Sequence, residues 1–93
     1  MNSDSRITRN PKIVTRELAE PDGGVALHLE TGAYHGLNQV GLLIWQHIDG
    51  EKTVTEVVEA VRIEVPDAPP QLEEDVVAFL TSALERDLVR LVE

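Results

Sequence analysis

Residues 30–38 read Glu-Thr-Gly-Ala-Tyr-His-Gly-Leu-Asn, and this stretch decides the fold. Thr31-Gly32 is a turn signal, since glycine adopts the left-handed conformation that a short hairpin loop needs. A third strand is expected at 33–37, and Asn38 is a helix N-cap. Working back, residues 25–30 alternate Val25, Leu27, Leu29 with Ala26, His28, Glu30, the pattern of a second strand with Val25, Leu27 and Leu29 on one face. Pro21-Asp22-Gly23-Gly24 supplies the preceding turn, and residues 12–20 the first strand. The sheet is expected in the order 1-2-3, which leaves the third strand as an edge.

Working forward, Val40, Ile44 and Ile48 fall at i, i+4 and i+8, with Leu43 and Trp45 widening the stripe. Asp49-Gly50 is expected to end this helix, with Gly50 at the C′ position. Thr53-Val54-Thr55-Glu56 is a capping box that opens a second helix with Val54, Val57, Val58 and Val61 on its apolar face. Pro66 stops it. Asp67-Ala68-Pro69-Pro70 connects to a third helix at 71–86, with a proline fit for its first position. Glu73, Glu74 and Asp75 sit in its first turn, where the helix dipole favours negative charge. Its apolar residues are Leu72, Val76, Val77, Phe79, Leu80, Ala83 and Leu84, an arc wider than one buried stripe requires. Residues 88–92 form a short final strand or an extended tail. The fold class is α+β, a three-stranded antiparallel sheet followed by three helices in a winged helix-turn-helix shape. Residues 1–11 are expected as a flexible arm and 12–92 as the domain.

At 93 residues the chain holds one core. There is no cysteine, which excludes a disulfide framework, a zinc ribbon and a thiol nucleophile and fits a cytoplasmic protein. No apolar run approaches the ~20 residues of a membrane span, and the N-terminus lacks the apolar core of a secretory signal. Net charge is −9. Residues 1–16 hold Arg6, Arg9, Lys12 and Arg16 against Asp4, a net of +3, so the remainder carries −12. Such a surface repels nucleic acid and favours a basic or neutral partner; solubility alone is the plainer reading.

No phosphate loop, nucleophile elbow or dinucleotide fingerprint is present, so the chain is read as non-catalytic and free of cofactors. His28 and His35 on neighbouring strands would need a third ligand such as Glu30 to hold a metal. The spacing matches no metal signature, and solvent-facing histidines are the expectation. The carboxylate pairs are read as caps and solvated faces. An edge strand with unpaired N–H and C=O groups, beside a helix with excess apolar surface, can accept an extended peptide as a fourth strand. Glu73, Glu74 and Asp75 could attract lysine or arginine on it.

The ordered pattern L-x-L-E-T-G-x-Y-x-G-L-N-x-x-G-x-x-I-W-x-x-I-D-G-x-x-T-V-x-E-V-V, from Leu27 to Val58, resembles the PqqD-like family of recognition elements for ribosomal precursor peptides. Asp75-Val76, Phe79-Leu80 and Leu88-Val89 match its later segment. The resemblance implies a non-catalytic adaptor that binds the leader segment of a precursor peptide antiparallel to the third strand and against the third helix. It implicates Ala33, Tyr34, His35, Gly36 and Leu37 in strand pairing, Val76, Phe79, Leu80 and Ala83 in the groove wall, and Asp75 as a charge contact. The T-G-x-Y-x-G-L-N segment with its downstream I-W is most similar to the stand-alone proteins of lasso-peptide biosynthesis. The implied partners are a leader peptidase and a macrolactam cyclase, and the implied leader carries a Y-x-x-P pattern suited to apolar pockets. The alternatives are the pyrroloquinoline quinone precursor chaperone, working with a radical enzyme, and a winged-helix DNA-binding protein. Asp87 departs from the family, which has glycine there; a different turn is expected at that point.

Overall fold

The computed structural model describes residues 1–2, 4–18, 23–65 and 67–92. It has strands β1 (Arg6–Arg9), β2 (Ile13–Leu18), β3 (Gly23–His28) and β4 (Tyr34–Asn38), helices α1 (Gln39–Gln46), α2 (Val54–Glu64) and α3 (Leu72–Glu85), and a last strand β5 (Val89–Val92). The three expected strands are β2, β3 and β4, antiparallel in that order. The α+β arrangement of three strands followed by three helices is of winged helix-turn-helix type. No helix among the described residues is long and apolar enough to cross a membrane.

The middle strand shows its other face to the core. Ala26 and His28 are buried, Val25 and Leu27 only half-buried, and Leu29 is exposed. Alternation says which residues share a face; it does not say which face is covered. Here α1 lies close on the face of Gly24, Ala26 and His28, and a Cβ on Gly24 would stand 3.4 Å from Leu42 Cδ1. Small residues win that face because the helix leaves little room. The same crowding corrects the expected turn at Gly23-Gly24. Both lie in β3 without positive φ, and a Cβ on Gly24 would fall 2.7 Å from the Arg16 carbonyl oxygen. Pro21 and Asp22 lie outside the described residues.

Asn38 caps α1 as expected, its side chain accepting from Gly41 N at 2.7 Å. The helix ends at Gln46, before Asp49-Gly50. Gly50 has φ +84° for a different reason. Its N–H donates to Ile7 O at 2.9 Å, so it shapes the loop that crosses β1. Both bonds of the Thr53/Glu56 capping box form, and Val54, Val57, Val58 and Val61 are all buried. α2 ends at Glu64; Pro66 is outside the described residues. No proline occupies the first turn of α3, because Pro69 and Pro70 precede its cap, Gln71. Gln71 makes no side-chain capping bond, and Glu73, Glu74 and Asp75 complement the dipole instead.

The chain start is not a flexible arm at 6–9. β1 pairs antiparallel with β5, Arg6 opposite Val92 and Arg9 opposite Val89, and Ile7 is wholly buried. The basic residues there have partners. Arg9 Nη2 donates to Trp45 O at 2.7 Å and its guanidinium lies 5.4 Å from the Trp45 ring centre, while Arg6 Nε donates to Glu51 O at 3.2 Å. Four residues with one isoleucine give no readable period, so only the tertiary pairing reveals this strand.

The expected change at Asp87 does not occur. Asp87 takes the left-handed conformation itself, φ +59°. Leu88 N donates to Ala83 O at 2.9 Å and Asp87 N to Leu84 O at 3.2 Å, which closes a Schellman motif. Its carboxylate offsets the backbone strain: Oδ2 accepts from Asn10 Nδ2 at 3.1 Å and contacts His28 Nε2 at 3.2 Å. His28 is therefore buried against Asp87 rather than facing solvent.

Candidate functional site

β4 pairs with β3 alone, so one side of its backbone is open among the described residues. The phase of the ladder tells which groups are open. His28 N donates to Ala33 O at 2.9 Å, which makes Ala33 a bonded partner of β3. In an antiparallel pair the bonded residues alternate with unbonded ones. His35 and Leu37 therefore bond inward to β3, while the N–H and C=O of Tyr34 and Gly36 point away from the sheet. Ala33 itself precedes the strand and is exposed.

Side chains alternate with the same period. Leu37 is buried and His35 half-buried toward α3, whereas Tyr34 is 73% exposed on the opposite face. A cleft between β4 and α3 is lined by His35, Gly36, Leu37, Phe79, Ser82, Ala83, Arg86 and Leu88. A second cleft continues beyond Phe79, between α1 and α3. Asn38, Val40, Gly41, Ile44, Leu72, Asp75 and Ala78 are among its walls. Phe79 lines both. Its seat depends on Gly41, where a Cβ would stand 3.1 Å from Phe79 Cε2. One groove thus follows α3 from Leu72 to Arg86, with Asp75 toward one end and Arg86 at the other.

Phe79, Ala83 and Asp75 line this groove. Val76 and Leu80 do not: both are wholly buried and line neither cleft. They occupy the inward stripe of α3. Ser82, Arg86 and Gly41 were not singled out from the sequence. The positions 79, 82, 83 and 86 repeat at helical spacing from Phe79, a signal that polar side chains obscured. A further cavity lies between Met1, α2 and the outer face of α3. None of the described residues that line it belongs to a strand, so the β4 groove is the better candidate.

At the Arg86 end, Arg86 Nη1 stands 3.3 Å from His35 Nδ1. A guanidinium only donates, so this ring nitrogen accepts. Burial first, then the Arg86 charge, and more weakly that of His28, holds the His35 imidazole below the ordinary histidine range. No group of three or more His, Asp or Glu side chains among the described residues is placed to hold a metal.

Fold and site define a class: a small α+β domain with an open sheet edge backed by a partly apolar helical groove, a shape that suits an extended chain as an added strand. The chain belongs to the PqqD family, whose model, described as coenzyme PQQ synthesis protein D, matches residues 23–89. Comparison with curated protein sequences gives no match. Among solved structures, TbiB1 in complex with the TbiA(beta) leader peptide is 30% identical, with a TM-score of 0.73 over 89% of this chain and 94% of that one. A lasso peptide synthetase B1 complexed with the leader peptide shares the fold at 24% identity, TM-score 0.73, over 91% of this chain and 98% of that one. The heterocyclase TruD contains the same fold, TM-score 0.65 at 24% identity, over 95% of this chain and 12% of its own.

Proposed function

We propose that this protein is a non-catalytic adaptor that binds the leader segment of a ribosomal precursor peptide as a strand added to β4, and presents it to a leader peptidase and a cyclase in lasso-peptide biosynthesis. The observation that carries this reading is the open backbone of Tyr34 and Gly36 beside the α3 groove. Main-chain bonds to those two residues supply affinity that is independent of sequence, and the clefts around Phe79 select side chains. Asp75, Phe79 and Ala83 are the wall residues of this reading. His35 and Leu37 shape the floor. Val76 and Leu80 support it from the core. The likeness to TbiB1, solved with a leader peptide, supports the ligand class.

A second reading keeps the site and changes the pathway: a precursor chaperone in pyrroloquinoline quinone synthesis, favoured by the description of the matching family. Fluorescence polarisation decides between them. A labelled leader from a neighbouring lasso precursor is expected to bind saturably and to lose binding when its tyrosine is replaced by alanine. Binding only to a quinone-precursor peptide would overturn the lasso assignment, and binding to neither would overturn the adaptor reading.

A further inference from the structure

We propose that Arg86, steadied by His35 across the end of the groove, is a specificity-determining residue that takes a carboxylate side chain of the bound peptide, on the C-terminal side of that peptide's apolar anchors. This rests on the adaptor reading above and adds to it which charge the ligand carries, and where.

The first observation is an unmatched cation. The chain has 17 acidic residues against 8 lysines and arginines. Among the described residues Lys52, Arg62 and Arg90 each have a carboxylate within 4.0 Å, whereas Arg86 has none, like Arg6, Arg9, Lys12 and Arg16, and of those five Arg86 is the one that lines the groove. Among the described residues the guanidinium of Arg86 meets the His35 ring nitrogen, 3.3 Å away. A guanidinium carries five N–H donors in a planar fork suited to a carboxylate. The contact with His35 uses one and leaves the charge uncompensated. Arg86 is exposed and lines the cleft, so the remaining donors are within reach of a ligand. The lowered affinity of His35 for protons agrees with a neutral ring that orients the guanidinium without adding a second charge.

Direction comes second, with the added strand taken as antiparallel like the β2–β3 and β3–β4 pairs of the sheet it joins. β4 runs from Tyr34 to Asn38 and straight into α1. A strand added antiparallel enters at the Asn38 end and leaves at the Tyr34 end. Along that path it passes the apolar cleft at Val40, Leu72 and Asp75, then Phe79, and last His35 and Arg86. The groove is therefore polar along its length, acidic where the peptide enters and basic where it leaves. In a domain this acidic, a carboxylate on the peptide is repelled elsewhere and accommodated at Arg86. That fixes register and orientation as well as composition.

The test is a peptide series read by fluorescence polarisation. The probe is the labelled leader of the neighbouring precursor, with each Asp and Glu replaced singly by Asn or Gln, measured against the wild-type protein, Arg86→Gln and Arg86→Lys. Arg86 is exposed, so both variants should melt as the wild type does. One amide substitution, C-terminal to the apolar anchors, is expected to weaken wild-type binding by about fivefold, the scale of a half-exposed ion pair. Arg86→Gln should weaken the parent peptide by the same factor and leave that one amide peptide unaffected, and Arg86→Lys should retain most of the affinity. If Arg86→Gln weakens every peptide equally, Arg86 merely shapes the groove and the proposal is overturned. Unchanged binding of the parent peptide by Arg86→Gln overturns it too. A parent peptide that fails to bind the wild type defeats the adaptor reading itself, and this inference with it.

Discussion

Asp87 and His28 lie 59 residues apart in sequence and meet with Oδ2 and Nε2 3.2 Å apart. His28 Nδ1 accepts from Glu30 N at 3.2 Å, so Nε2 carries the proton and donates to the carboxylate. The contact ties the turn after α3 to the middle strand of the sheet. Asn10 joins as well, its Nδ2 donating to Asp87 Oδ2 at 3.1 Å and to the Asp87 backbone O at 2.8 Å. Three separate parts of the chain are thereby fixed about one carboxylate.

The Asp87 carboxyl is held below the ordinary carboxylate range, first by the bond from His28 and then by Arg90. A carboxyl lowered on folding contributes stability that is present above its ordinary value of about 4 and lost as pH falls through the lowered one. Asp87→Asn keeps a residue tolerant of positive φ and removes the charge. Its melting temperature should lie below that of the wild type at pH 7, and the gap should close below about pH 4. A gap that stays constant from pH 7 to pH 3 would refute the linkage.

His28→Ala should be the more damaging change, because it opens a cavity in a buried position and removes one bond from the Asp87 carboxylate. A loss of about 2 kcal/mol is expected by denaturant titration. A loss below about 0.5 kcal/mol would mean the ring is a passenger.

Gly36→Pro tests the edge. A Cβ at Gly36 meets nothing within 4 Å, and its N–H points away from β3, so proline removes a donor the domain does not use. Peptide affinity should fall by more than about tenfold, one main-chain bond and the clash of the ring with the added strand. The melting temperature should barely move. Gly36→Ala, which keeps the N–H, should bind nearly as the wild type does. Equal affinity for the proline variant would exclude strand addition at β4.

Phe79 and Leu80 are neighbours with opposite expectations. Leu80 is wholly buried, and Leu80→Ala should cost about 3 kcal/mol of stability. Phe79 is only partly buried and stands between the two clefts, so Phe79→Ala should show its larger effect in peptide binding. Paired melts and polarisation titrations separate the two; a Phe79→Ala protein that binds normally would remove this ring from the recognition surface.

Ile7→Ala should cost about 2–4 kcal/mol, as expected of a fully buried isoleucine. Removing residues 1–9 should destabilise by at least as much, since β5 then loses its partner. If the shortened chain melts as the full one does, β1 is dispensable.

The sheet, the helices and the open edge were legible because each rests on a local rule. Asn38 and the Thr53/Glu56 box announce their helices by side chains that satisfy nearby N–H groups, and the valines of α2 repeat at helical spacing. What was hidden depended on distant partners. Ile7 is one apolar residue among polar ones, and only β5 turns its segment into a strand. Which face of β3 is covered follows from where α1 lies, and alternation is silent on that. His28 reads as a surface histidine until Asp87 is brought beside it. In the groove, Phe79 and Ala83 were readable as apolar residues on a wide arc. Val76 and Leu80 belong to the same arc, and telling wall from core requires knowing how α3 is rotated against the sheet. Arg86 is polar, so no apolar pattern marks it as a wall.

The pairing of β1 with β5 sets Arg6 opposite Val92 on a ribbon separate from the β2–β3–β4 sheet. A linker that followed β5 would start from that ribbon and leave β4 unblocked. Joined in this way to an enzyme, the domain would raise the local concentration of its ligand at that enzyme, without any new contact between them. On the adaptor reading proposed above, the same groove would serve a detached carrier or a tethered arm, and the change between them asks nothing of the groove.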